Sequence, residues 1–167
     1  MINSYHIFVH MKVKLLVIGK TTQTYVEEGC NVFFNRLQHY TNFEFQVIQE
    51  KKNNSKLQID QRKQEEGTQI LKVLLPTDFV VLLDEKGRSY TSVKFANWIE
   101  QQQLNAVSQI VFVVGGAYGF APKIYERANM KMQLSSMTFS HQLIRLIFAE
   151  QLYRAFTIIK GEPYHNE

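Results

Sequence analysis

The sequence predicts an α/β protein with a mostly parallel sheet flanked by helices. Short apolar runs rich in β-branched and aromatic residues alternate with longer segments of helical period, which is the pattern of βαβ units. The chain has 167 residues, 45% of them hydrophobic and 20% charged, so one core can form and a second full domain does not fit. This composition excludes a disordered, collagen-like or repeat-built protein.

Four segments predict strands, and a weaker fifth follows them along the chain. The first begins just after Met11. The third and fourth are continuously apolar, so we expect both to be fully buried. In chain order the predicted strands are residues 13–18, 43–49, 79–83, 109–114 and 132–137.

Helices are predicted between these strands, because apolar side chains recur there every three or four residues. The polar loop 51–56 and the turn residues 76–78 and 85–87 separate the elements. In chain order the predicted helices are residues 24–39, 57–74, 93–104, 122–128 and 141–156.

Residues 1–10 are predicted to be a poorly ordered N-terminal extension, ahead of a single domain at 11–167. They lack the basic segment and long apolar stretch of a secretory signal. No apolar run approaches the ~20 residues that cross a bilayer, so we expect a soluble protein with no membrane contact. Cys30 is the sole cysteine and cannot form an internal disulfide, which favours a reducing cytoplasm.

Charge and residue chemistry narrow the classes of function. The net charge of +4 favours a polyanionic partner without requiring one. The histidines show no metal-ligand spacing, so no metal site is predicted. No G-x-S-x-G motif is present, and Cys30 lies in an amphipathic helix pattern that favours a buried apolar role. Asp84 and Glu85 are consecutive, should point apart, and are interpreted as turn residues.

The glycine segment Gly115-Gly116-Ala117-Tyr118-Gly119 directly follows the fourth predicted strand. Loops at the carboxyl ends of parallel strands line the ligand crevice, and glycines there let the backbone approach a bound nucleotide. The segment matches neither the G-x-G-x-x-G dinucleotide pattern nor a G-x-x-x-x-G-K-[ST] phosphate loop, so it does not indicate NAD or ATP. A tight strand-to-helix turn explains it equally well.

The serine-rich segment 134–140 ends in Ser140, which is placed to cap the last helix. Its other hydroxyl and backbone groups suit hydrogen bonds to an adenine ring and ribose. The last helix carries an apolar stripe that predicts core contacts, formed by Leu143, Ile144, Ile147, Phe148 and Leu152. Outside that stripe lie His141, Arg145, Glu150 and Arg154.

Glu150 and Arg154 are four residues apart in the acid-first order, which is typical of an exposed helical ion pair. Arg154 is alternatively suited to bind a phosphate or a carboxylate. The chain ends with Tyr164 and His165 close to its terminus. Such a tail is either frayed or, if docked, supplies a proton acceptor and a hydrogen-bonding aromatic residue near neutral pH.

Five motifs in this order carry a family resemblance: L-L-D-E-K-G at 82–87, V-V-G-G-A-Y-G at 113–119, L-S-S-M-T-F-S-H-Q at 134–142, E-Q-L-Y-R-A at 150–155, and the final Tyr164-His165. The chain resembles the bacterial large-subunit ribosomal RNA pseudouridine N3-methyltransferases, a single-domain family of the knotted SPOUT methyltransferases. The resemblance covers residues 11–167, and the combination of motifs is far more specific than any one of them.

The resemblance implies a deep trefoil knot, made by threading the chain from about Val113 onward through a loop, a rare exception to unknotted topology. It also implies that S-adenosylmethionine binds against the knot and that the enzyme is a homodimer whose site is completed across a two-fold interface. The implied cofactor-binding residues are Leu83, Gly115, Gly116, Ser135, Ser136, Met137, Thr138, Phe139 and Ser140.

The implied reaction transfers the sulfonium methyl group to N3 of a pseudouridine in large-subunit (23S) ribosomal RNA within assembled ribosomes. Because this nitrogen carries a proton, the site must remove it or stabilise the anion. The implied roles are base or proton relay for His165, stabilisation of imide charge or phosphate binding for Arg154, and positioning of the target base for Tyr164.

Two features depart from the family pattern. Asn166 stands where a basic residue is common, and residues 1–10 precede the usual start. Two other functions remain open from the residues alone. One is a catalytically silent knotted or Rossmann-like module that binds RNA or a ribosomal surface, and the other is a small-molecule nucleotide enzyme with a doubly wound sheet.

Overall fold

A five-stranded sheet forms the centre of the molecule, with strand order β2-β1-β4-β3-β5. Every pairing in it is parallel, as the alternation of strands and helices predicts. The computed structural model describes residues 11–51 and 57–165. The strands are β1 (Lys12–Ile18), β2 (Asn42–Ile48), β3 (Phe79–Ser89), β4 (Gln109–Val114) and β5 (Met130–Gln133).

Five helices connect and cover the strands: α1 (Thr24–Leu37), α2 (Ile59–Val73), α3 (Ser92–Leu104), α4 (Pro122–Arg127) and α5 (Leu143–Ile159). Each corresponds to a predicted helix, with ends that differ by a few residues. Across 11–51 and 57–165, no helix combines the length and apolar character needed to cross a bilayer. The predictions for residues 1–10, for the polar loop at 52–56 and for Asn166 lie outside the described residues.

The core lies on both faces of the sheet. Phe112 and Val114 of β4 pack with α1, α3 and α5, whereas Val111 and Val113 pack with α2 and α4. Burial on both faces explains the uninterrupted apolar run 110–114 of β4 and confirms the predicted burial of these residues. The predicted full burial of the third strand holds for residues 80–82, whereas Phe79 and Leu83 are half-buried. The arrangement leaves the carboxyl end of β4 open towards the loop that follows it.

The predicted end of the third strand at Leu83 is wrong, because β3 continues to Ser89. Leu83 and Arg88 both pair with Met132 of β5, so the residues between them form an excursion within one strand. A Cβ added at Gly87 would lie 2.5 Å from the Met132 backbone. The predicted turn is therefore a close-packed bulge, after which pairing with the neighbouring strand resumes.

The fifth strand lies earlier than predicted, at Met130–Gln133 instead of 132–137. Its register is set by Asn129, whose side-chain Oδ1 accepts a hydrogen bond of 2.8 Å from the Val80 backbone N–H. Asn129 N–H in turn donates to the Val80 carbonyl at 2.9 Å. Residues 134–142 consequently leave the sheet and are available to line a site.

Arg145 was predicted to lie outside the apolar stripe of the last helix, and this is wrong because its side chain is fully buried. Its guanidinium donates to the carbonyl oxygens of Ile18 at 2.7 Å and Gly19 at 3.0 Å, and to Thr21 Oγ1 at 3.0 Å. These acceptors satisfy the buried cation and fix the start of α5 to the end of β1. Three members of the predicted stripe are only half-buried: Leu143, Ile144 and Ile147.

Candidate functional site

A cavity of about 480 Å³ opens between the bulge of β3 and the carboxyl end of β4. This is the edge of a parallel sheet at which ligands bind, and the volume suits a small organic molecule. Three segments supply most of its wall: residues 83–86 of β3, residues 114–120 from the last residue of β4 onward, and residues 132–139 from the end of β5 onward, without Ser136.

Most residues predicted to hold a cofactor line this cavity: Leu83, Gly115, Gly116, Ser135, Met137, Thr138 and Phe139. Ser136 and Ser140 do not belong to the described wall. The predicted helix cap at Ser140 is wrong, because α5 begins at Leu143 and Gln142 is its N-cap residue. Ser140 Oγ accepts a hydrogen bond of 3.1 Å from Leu143 N–H in the turn before the helix. The structure thus brings the predicted segments together, and their binding of a cofactor stays a prediction.

The glycines after β4 are required by what packs around them. A Cβ at Gly116 would lie 2.6 Å from Oε2 of Glu66, and one at Gly115 would lie 3.0 Å from the ring of Phe120. Gly119 has a φ of +77° and donates its N–H to the Gly116 carbonyl at 3.3 Å. The segment is therefore a tight strand-to-helix turn, and it also lines the cavity. These are the two interpretations that the sequence left open for it.

Asp84 and Glu85 also line the cavity, so their interpretation as simple turn residues is incomplete. Asp84 Oδ2 accepts a hydrogen bond of 2.7 Å from the Tyr125 hydroxyl. Burial first, and then this carboxylate, raise the pKa of Tyr125 to about 12, so its hydroxyl keeps its proton at neutral pH. Sequence reasoning did not assign Tyr125, because its helix follows the glycine segment by several residues.

Lys63, Tyr118 and His141 are further wall residues that the sequence did not assign. Burial lowers the pKa of His141, and the nearby Arg145 guanidinium lowers it further. A neutral His141 offers a ligand one donor and one acceptor without a charge. The signal available in the sequence was that His141 belongs to the motif L-S-S-M-T-F-S-H-Q at 134–142.

The C-terminal cluster is a second group of functional candidates, formed by Glu150, Arg154, Tyr164 and His165. Glu150 Oε1 accepts hydrogen bonds from Arg154 Nη2 at 2.6 Å and Nε at 3.1 Å, and from the Tyr164 hydroxyl at 3.1 Å. The Arg154 guanidinium lies 4.7 Å from the centre of the Tyr164 ring. Its Nη1 is 3.3 Å from His165 Nδ1. The three predicted catalytic residues are thus in mutual contact.

The tail that carries Tyr164 and His165 is docked, not frayed, over its described length. The Tyr40 hydroxyl donates to the Glu162 carboxylate, and this contact raises the pKa of Tyr40. Glu162 N–H donates to the Thr157 carbonyl at 2.9 Å. The Tyr153 and Tyr164 rings meet edge to face at 4.8 Å.

Within the described part of one chain, neither Arg154, Tyr164 nor His165 lines the cavity. The cavity and the C-terminal cluster are therefore separate groups in a single chain. Cys30 belongs to neither, since it is buried in the core as predicted, and burial raises its pKa to about 11. In residues 11–51 and 57–165, no three His, Cys, Asp or Glu side chains gather in a way that could hold a metal ion.

Comparison with known proteins finds a matching family model and relatives that align over nearly the whole chain. A family model described as "Predicted SPOUT methyltransferase" matches residues 11–165. A protein of Phocaeicola vulgatus named "Ribosomal RNA large subunit methyltransferase H" is 52% identical over 157 residues, which span 94% of this chain and 100% of the relative. Proteins with the same name from Parabacteroides distasonis and Bacteroides fragilis are 52% and 47% identical over the same shares.

The family match covers every element of the fold and all three segments of the cavity wall. It confirms the resemblance drawn from the five motifs, and membership of this family implies a C-terminal knot. This chain belongs to the SPOUT methyltransferase family.

Proposed function

We propose that this protein is an S-adenosylmethionine-dependent methyltransferase that modifies N3 of a pseudouridine in large-subunit ribosomal RNA. The observation that carries the proposal is the match to relatives named for large-subunit ribosomal RNA methylation across their whole length. These relatives have no additional domain that this chain lacks. The substrate places the reaction on cytoplasmic ribosomes.

The cavity suits S-adenosylmethionine in its chemistry as well as in its volume. Apolar side chains such as Leu83, Leu134 and Ile144 offer a surface for an adenine ring. Lys63, Lys86, Asp84 and Glu85 supply charges of both signs, which match the ammonium and carboxylate groups of a methionine moiety. When bound, the cofactor supplies an electrophilic methyl group on a sulfonium.

Arg154, Tyr164 and His165 are the residues that would act on the target base. Arg154 has only donors, so its contact with His165 requires Nδ1 to accept, and a neutral imidazole then carries its proton on Nε2. In this arrangement Nε2–H donates towards a carbonyl oxygen of the base and stabilises imide charge. Because Nδ1 accepts from Arg154 and Nε2 already carries a proton, His165 acts through this hydrogen bond, and the N3 proton leaves to solvent as the methyl group is transferred.

We further propose a homodimer in which the C-terminal cluster of one chain meets the cavity of its partner. The separation of the two groups within one chain supports this arrangement. The exposed face of α1 offers an apolar surface for pairing, since Tyr25 is 62% and Val32 is 48% exposed. A monomer would hold the methyl donor without the groups that act on the acceptor.

The test is mass spectrometry of ribosomal RNA nucleosides after ribosomes are incubated with the protein and labelled S-adenosylmethionine. We expect one labelled methyl group on N3 of a pseudouridine, with little labelling when protein-free RNA replaces ribosomes. An R154A variant serves as the control for the C-terminal cluster. A label on uridine, or no label, would overturn the proposed substrate.

Two measurements separate the alternative functions from this one: calorimetry with the cofactor, and the rate of turnover with and without ribosomes. A catalytically silent RNA-binding module would give no binding heat with S-adenosylmethionine or S-adenosylhomocysteine. A small-molecule nucleotide enzyme would turn over at the same rate with or without ribosomes.

A further inference from the structure

Glu66 of α2 is a buried carboxylate next to the glycine segment, and neither the cavity wall nor the C-terminal cluster includes it. The residue is 5% exposed. Its Oε1 lies 3.0 Å from Nε of Arg62, one helical turn earlier. Burial of a charged group is costly unless the group is paired and hydrogen-bonded. A carboxylate held in this place calls for a specific explanation.

The carboxylate of Glu66 packs directly against Gly116. A Cβ at Gly116 would lie 2.6 Å from Oε2 and 2.9 Å from Oε1. The Gly116 backbone N–H faces this carboxylate and favours its charged form. Gly116 is itself part of the cavity wall, so Glu66 touches the back of the wall.

Two neighbours hold Glu66 in this position. A Cβ at Gly67 would lie 3.2 Å from the Cβ of Ala121, so α2 is pressed against the start of α4 and cannot withdraw easily. Arg62 pairs with Glu66 and also lies 3.3 Å from Oε1 of Glu50. The same guanidinium is 5.4 Å from the ring centre of Tyr118, a wall residue. One ion pair thus supports two parts of the wall.

The contact also sets the direction of a peptide group. In a trans peptide the carbonyl oxygen and the next N–H point to opposite sides. With the Gly116 N–H directed at Glu66, the Gly115 carbonyl is directed away from Glu66, and both glycines line the cavity. A carbonyl fixed in this way is an acceptor for a ligand donor.

We infer that Glu66 is a positioning residue for the methyl donor: ion-paired with Arg62, it holds the Gly115–Gly116 peptide so that its carbonyl faces the bound cofactor. The inference rests on the proposed function. In this role Glu66 affects binding of the donor, whereas a residue that only stabilises the fold would affect the free energy of unfolding. Burial raises the pKa of Glu66 in spite of Arg62, so the folded protein does not gain stability from its charge.

The matched variants are E66Q and E66A, with E65Q as the control. E66Q keeps the volume and an acceptor oxygen but loses the charge, while Arg62 keeps Glu50 as a partner. Glu65 is the adjacent acid on α2, and its carboxylate instead contacts Lys51 and Gln69. E65Q therefore removes an equal charge from the same helix without touching the wall.

Calorimetric titration with S-adenosylmethionine, together with thermal unfolding, tests the inference. We expect the dissociation constant to rise about five-fold in E66Q and about thirty-fold in E66A, as charge-assisted hydrogen bonds are weakened or lost. E65Q should bind as wild type. E66Q should melt no lower than wild type, and its KM for the donor should rise while its KM for ribosomes stays constant.

An NMR measurement gives a readout independent of activity. The Gly116 amide proton should move upfield in E66Q, because its acceptor loses charge, and it should not move in E65Q. The inference is overturned if folded E66Q and E66A bind the donor within two-fold of wild type. It is also overturned if E66Q both binds the donor more weakly and melts at a lower temperature than wild type, because a loss of folded structure would then explain the weaker binding. If wild type itself binds no donor, the proposed function fails instead.

Discussion

Replacement of Arg145 by methionine should destabilise the protein strongly, although Arg145 lies outside the predicted apolar stripe. Its guanidinium makes hydrogen bonds of 2.7 to 3.0 Å to Ile18, Gly19, Thr21 and His141. Methionine fills much of the volume but leaves these acceptors without their donors. Because each buried polar group left unsatisfied costs about 1–3 kcal/mol and some relax, we expect R145M to lose about 3–5 kcal/mol of unfolding free energy.

Urea unfolding at one fixed protein concentration measures this loss, since the stability of the proposed dimer would depend on concentration. R36M is the control, because Arg36 is an exposed arginine of α1 that stacks on Phe33 and Tyr153. We expect R36M to lose less than about 1 kcal/mol. An R145M protein that unfolds within 1 kcal/mol of wild type would refute the argument that the guanidinium satisfies these carbonyls.

Three further predictions concern single groups. Because burial lowers the pKa of folded His141 below its ordinary value of 6.5, the unfolded chain takes up the proton first, so stability falls as the pH drops below about 6.5; H141N should reduce the difference in Tm between pH 7.5 and pH 5.5, and an unchanged difference would contradict this. The Cys30 thiol, with its pKa raised to about 11, should react with a thiol reagent at pH 8 only after urea is added; rapid labelling of the folded protein would refute its burial. Y125F removes the donor to Asp84 and should weaken donor binding about three-fold without lowering Tm by more than about 2 °C, whereas unchanged affinity would exclude Tyr125 from the binding wall.

The order of strands and helices was predictable because parallel strands buried on both faces leave a continuous apolar signal. The run 110–114 is the clearest case. The continuation of β3 beyond Leu83 was not predictable, because it depends on Met132, a partner that lies far along the chain and pairs on both sides of the bulge. The residues of the turn itself give no sign that β3 pairs with β5 again beyond it.

The cavity was located by its motifs, while its supporting residues were not. Helical spacing placed Arg145 outside the apolar stripe and did not single out Glu66, because only distant partners make the burial of a charged side chain tolerable. Arg145 finds carbonyls at the end of β1, and Glu66 finds the Gly116 backbone. The docking of the tail likewise depends on Glu150, which sequence spacing assigned only to Arg154.

The central claim is that a functional site combines the cavity of one chain with the C-terminal cluster of its partner. Two variants test it: T138W, which fills the cavity at an exposed wall residue, and R154A, which disables the cluster. Each homodimer should be inactive. A purified heterodimer of the two variants contains one intact cavity and one intact cluster on different chains, so we predict about half of the wild-type methylation rate per dimer. A heterodimer as inactive as its parents would contradict the account.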